Sequence, residues 1–143
     1  MTDKEYKVKQ YLERARELQR AIETYEEALQ VERAKVPRSS SIIKFSKVKG
    51  GRNNSSEDRV YKYLERAEKI VKKITALENE KQKIADTIEM VEDIKLKMVL
   101  IRRYILCDTW EDVATHLNYD RRWVTELHLR AIKELVKLKI THP

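Results

Sequence analysis

Glycine and proline are scarce in this chain, two of each in 143 residues, and there is one cysteine and one phenylalanine. Average usage is roughly 7% glycine and 5% proline, so a chain this poor in turn formers is expected to be mostly helical. The lone Cys107 excludes an internal disulfide and reads as a small residue at the end of a helix, because no histidine stands beside it in sequence to make a reactive thiol. The longest apolar stretches fall far short of the roughly 20 residues that cross a bilayer, and no early run resembles a secretion signal. The expected setting is the reducing cytoplasm, with no membrane partner. No glycine-rich phosphate loop and no nucleophile motif occurs, so an enzyme is not expected. His116 and His128 lack cysteine or carboxylate neighbours at ligand spacing, so neither a metal nor a cofactor is expected.

Charge is abundant. Charged residues make up 38% of the chain and the net charge is +7, whereas aromatic residues make up 7%. Apolar surface must then be buried along narrow helical seams rather than in one thick core. The positive excess is unevenly spread. Residues 1–36 hold 8 basic and 8 acidic side chains, whereas residues 37–59 hold 6 and 2. The latter segment also contains both glycines and a run of serines and asparagines, which reads as a flexible basic loop.

Two long heptad patterns flank that loop. The first, over 1–36, opens with Thr2 and Glu5 at capping-box spacing and runs Val8, Tyr11, Ala15, Leu18, Ile22, Tyr25, Leu29 until Pro37 stops it. The second, over 60–91, starts near Ser55 or Ser56 and runs Val60, Tyr63, Ala67, Ile70, Ile74, Leu77, Lys81, Ile84, Ile88, Val91. The pentapeptide Tyr-Leu-Glu-Arg-Ala recurs at Tyr11–Ala15 and Tyr63–Ala67. Such helices form either an intramolecular hairpin or a coiled coil between chains, and a homo-oligomer, a dimer above all, is expected through them. Lys81 interrupts the second seam, either to fix register or with its ammonium snorkelling out. Beyond it, Asp86-Thr87 and Asp93 are possible caps, and Ile94, Met98, Ile101, Tyr104 and Ile105 present a further apolar face.

Residues Trp110 to Leu127 carry the pattern of a helix-turn-helix. Val113 and Leu117 are four apart on one face, Ala114 is small where a second helix would cross, and Asn118 stands where the chain must turn with positive φ. Asp120 is placed to cap the next helix on the amide of Trp123 or Arg122, and Val124 and Leu127 return to the core. Trp110 and Tyr119 are expected to be core residues that set the interhelix angle, and Trp123 to be partly buried. The expected fold is therefore all-α: heptad-patterned helices followed by a small three-helix helix-turn-helix domain over 92–143.

The stretch from Leu100 through Leu135 resembles region 4 of bacterial sigma factors. It is similar also to small phage and prophage late-gene regulators of the ArpU/RinA type, which join such a domain to long N-terminal helices. Arg103-Tyr104, Trp110-Glu111-Asp112-Val113-Ala114 and Ala131-Ile132-Lys133-Glu134-Leu135 carry the likeness, whereas Cys107 stands where such domains often have glycine. The resemblance implies a transcriptional role and contact with RNA polymerase. The motif itself predicts duplex DNA as partner, with the helix starting at Arg121 in the major groove. Arg121, Arg122, Thr125 and Glu126 then lie in the turns that reach base edges, where arginine can grip guanine, glutamate accept from cytosine and threonine touch a thymine methyl. Thr115, His116, Arg130 and Lys133 would meet phosphates.

The leading expectation is thus a sequence-specific DNA-binding transcription regulator. A DNA-packaging recognition subunit like the phage small terminases is one alternative, since those also join a helix-turn-helix to oligomerising helices. A coiled-coil adaptor protein is another.

Overall fold

The computed structural model describes residues 1–36 and 55–138. Among them are five α-helices, one π-helical segment and no strand: α1 (Asp3–Ala34), α2 (Ser55–Glu89), α3 (Ile94–Leu100) continued by the π-helical Ile101–Ile105, α4 (Trp110–Leu117) and α5 (Arg121–Lys137). The protein is all-α, as expected. Most of the basic loop expected over 37–59 lies outside the described residues.

Short polar side chains set the helix starts. Thr2 and Glu5 form the reciprocal box, each side chain accepting from the other's amide at 3.2–3.3 Å. Asp93 caps α3 on the amides of Lys95 and Leu96. Thr109 caps α4 on Asp112, and Asp120 caps α5 on Trp123 at 2.8 Å. The other possible cap, Asp86-Thr87, sits inside α2. There the Thr87 hydroxyl donates to the Lys83 carbonyl and accepts from the Tyr11 phenol at 3.2 Å.

The chain forms two compact units, Met1–Ala21 with Leu77–Pro143, and Ile22–Ala76. The first has a continuous core. Val8, Leu12, Ala15 and Leu18 of α1 and Ile84 and Ile88 of α2 join Val91, Leu96, Val99, Leu100, Tyr104, Val113, Val124, Leu127, Ile132 and Leu135, all nearly inaccessible to solvent. Here α1 and α2 run antiparallel, as the Tyr11–Thr87 bond and the Arg14–Glu80 pair at 3.1 Å require. A simple heptad seam assigns Tyr11 to the interface. Leu12 is the more deeply buried of the two, because this part of α1 is enclosed on a wider face than one partner helix would cover. Lys81 neither disrupts the seam nor escapes to solvent. Its ammonium donates to Gln19 at 2.6 Å and to the Ile105 carbonyl at 2.9 Å, which ties α2 to the end of the π-helical segment, where a carbonyl has no helical partner.

The face expected for residues 94–105 needs correction. Ile94 is 65% exposed, and the buried stripe is Leu96, Val99, Leu100 and Tyr104. Ile94 falls in the first turn beside its cap. From Ile101 the helix widens to i→i+5 bonding, seen in the Leu106 amide donating to the Ile101 carbonyl, and this shifts later side chains off a 3.6-residue period. The chain then leaves the helix through Cys107 at φ 60°, in the left-handed region that favours glycine.

The second unit, Ile22–Ala76, is thinner. Among its described residues the buried apolar ones are Ile22, Val60, Ala67 and Ile74. Lys35 lies over the Tyr63 ring at 5.6 Å and Lys73 over the Tyr25 ring at 5.5 Å, which sets these portions of α1 and α2 antiparallel as well.

Candidate nucleic-acid interface

Two helices and a three-residue turn form the candidate site. α4 ends at Asn118, whose φ of 58° and ψ of 42° place it in the left-handed region. The Tyr119 amide donates back to the Ala114 carbonyl at 3.0 Å, the closure expected when a left-handed residue follows a helix. Asp120 is extended and starts α5 at once. Val113 and Ala114 on α4 face Val124, Leu127, Ala131 and Leu135 on α5, so one side of α5 is fixed in the core. Trp110 and Tyr119 pack half-buried against that core, and Trp123 is half-buried with the Arg130 guanidinium 5.1 Å from its ring.

A polar cluster holds α5 from below. His128 is buried, its Nε2 is 2.6 Å from the Tyr104 hydroxyl, and its ring meets Trp110 edge-on at 4.7 Å. Burial, with the nearby charges of Lys9 and Arg103, pushes the His128 imidazole down to about 4. Burial likewise raises the Tyr104 hydroxyl, which keeps its proton. Arg103 covers the other side of Trp110 at 4.4 Å and donates to the Asp108 carbonyl at 3.1 Å. Sequence reading missed His128 as a structural residue. The signal was there: it belongs to the stripe Val124, Leu127, His128, Ala131, Ile132, Leu135, which a single polar member does not break.

The exposed side of α5 presents Arg121, Arg122, Thr125, Glu126, Arg130 and Lys133. The first four, with Leu129, line an open depression. They are brought together but are not equivalent. Arg121 pairs with Glu111 of α4, whose carboxyl is held below its ordinary range by a bond from its own backbone amide and by the Arg121 charge. Thr125 donates its hydroxyl to the Arg121 carbonyl at 3.0 Å, and Glu126 accepts from Arg130 at 3.2 Å. Arg122 has no hydrogen-bond or ion-pair partner among the described residues, and neither has Lys133. On α4, Thr115 donates to the Glu111 carbonyl, and His116 lies 3.2 Å from Asp108, which also holds Arg102 at 3.6 Å. A second cleft beside Arg121 and Thr125 is bordered by Lys9 of α1 and by Trp110 and His128.

Among the described residues, no group of three or more His, Cys, Asp or Glu is placed to hold a metal, and no helix is long and apolar enough to cross a membrane.

The chain is an all-helical protein whose last two helices meet at a left-handed residue and a capped turn, with a cation-bearing face turned outward. It belongs to the family described as protein of unknown function DUF1492, which matches residues 38–136. No curated protein and no solved structure matches it.

Proposed function

We propose that the chain is a sequence-specific regulator of transcription that binds duplex DNA and lays the start of α5 in the major groove. One observation carries this reading. Arg122 stands exposed, and unpaired among the described residues, in the first turn of a helix whose opposite face is locked into the core. A recognition helix needs both properties, since base readout requires a free donor fork held in a fixed orientation. Arg122 is assigned to guanine. Arg121 reaches a base by exchanging Glu111 for it, a small loss because exposed ion pairs contribute little. Glu126 and Thr125 complete the base-reading set, while Arg130, Lys133, Thr115 and His116 take phosphates.

One such motif making about five phosphate contacts would lose affinity as salt to a power of about −4.5, which leaves a lone domain weak at physiological salt. The reading therefore includes pairing of two copies through the heptad helices, whose outer surface leaves Tyr61, Leu64 and Val71 exposed. It extends to the setting that the sigma-like resemblance implies, a cytoplasmic regulator of the phage late-gene type with RNA polymerase as a protein partner.

Selection from a randomised duplex library tests the core of the proposal. A discrete enriched sequence is expected, and Arg122→Ala should relax preference at one or two base pairs rather than weaken binding uniformly. Equal recovery of all sequences would refute sequence-specific binding, and light scattering of a strict monomer both free and on DNA would refute pairing.

A further inference from the structure

The second unit carries a charge pattern that the α5 site does not use. Along α2, Arg59, Lys62, Arg66, Lys69 and Lys73 follow one another at steps of three and four, so all five fall on a single stripe. All five are exposed. Arg59, Lys62, Arg66 and Lys69 have no ion-pair partner among the described residues, and Lys73 rests over the Tyr25 ring. Asp58 and Glu65 border the stripe at ion-pair spacing without pairing to it. Glu68 pairs with Lys72 at 3.7 Å. On the same side, Lys35 of α1 lies over the Tyr63 ring and is paired with Glu32 at 3.3 Å, so it adds no free cation to the row.

Solvated helices ordinarily intersperse opposite charges at this spacing, because i,i+4 pairs stabilise and like charges destabilise. A row of one sign carries a local cost that an anionic partner removes. The row spans 15 residues, 14 rises of 1.5 Å or about 21 Å, long enough to meet several phosphates. The cations form a line rather than a cluster, which suits a polymer with regularly spaced charges better than a single phosphate group.

We infer that the Arg59–Lys73 stripe of α2 is a second, sequence-independent contact surface for the phosphate backbone of duplex DNA. The inference rests on the DNA-binding reading and adds to it a separate source of affinity, one that sets salt dependence and leaves base preference to α5.

The test compares the full chain with Arg59→Gln/Lys62→Gln/Arg66→Gln/Lys69→Gln, measuring affinity for the selected duplex and for a scrambled one between 50 and 200 mM salt. With about 0.9 of log–log slope per phosphate contact, the slope should become shallower by about 2 to 3.6, and affinity for both duplexes should fall together. Arg66→Gln alone should lower the slope by about one, and swapping Arg and Lys at all four positions should keep it. An unchanged slope in the Gln variants, as for a stripe that holds an acidic protein instead, overturns the inference, and so does a loss of slope in the swapped chain. Failure of the parent reading looks different: the unaltered chain would then show no preference between the two duplexes.

Discussion

The two compact units solve opposite problems with the same helices. In the first, residues from five helices enclose one core, and the buried His128 and the half-buried Lys81 have their partners supplied. Among the described residues of the second, Ile22, Val60, Ala67 and Ile74 are the buried apolar ones, and the Arg59–Lys73 stripe is exposed. A thick core fixes the orientation of a face to within a fraction of a turn, which reading base edges demands. A thin seam suffices to hold a row of charges, since phosphate attraction tolerates imprecision.

Core truncations should separate the units most strongly. Leu100→Ala removes a side chain with no solvent exposure and should cost about 3–5 kcal/mol, read as a fall in urea midpoint. Ile74→Ala, at a seam that can close over the gap, should cost about 2 kcal/mol or less. Equal losses would mean that the second unit is packed as tightly as the first.

Acid should act next, and chiefly on the first unit. His128 takes up its proton at about 4 when folded, against an ordinary value of 6.5. The unfolded chain therefore binds more protons between these values. The stabilisation is complete above pH 6.5 and is lost as pH falls toward 4, about 3 kcal/mol in all. Unfolding followed from pH 7 to pH 4 should show this slope, and His128→Gln should flatten it.

Arg122→Ala should reduce discrimination against the wrong base pair by about 1–3 kcal/mol while leaving stability unchanged. The smallest effect is local. Cys107→Gly should stabilise by about 0.5–1 kcal/mol, because glycine removes the left-handed strain at φ 60° at some cost in chain entropy. Thermal midpoints that fall instead would mean that the weak contacts of Sγ, 3.9 Å from the Tyr104 and Ile105 carbonyls, outweigh the strain.

What the sequence made legible was local. Thr2, Asp93, Asn118 and Asp120 each act on backbone within three to five residues, and their caps and turn were readable from spacing alone. The misplaced face at Ile94 came from counting a first-turn residue beside its cap into the apolar stripe, which runs instead through Leu96, Val99, Leu100 and Tyr104. Leu12 owes its burial to helices distant in sequence, and the hydroxyl that partners His128 belongs to Tyr104, 24 residues away, contacts that no periodicity reports. The candidate site divides in the same way. The outward face of α5 was legible, but the difference between Arg121 and Arg122 depends on Glu111, a residue of another helix.

The central claim is that the outward turn of α5 reads bases. Footprinting of the purified chain across the DNA of its source, repeated with Arg122→Ala, tests it most directly. The account expects one or a few short protected sites upstream of transcripts, lost or broadened in the variant. Uniform protection, unchanged by the variant, would contradict it.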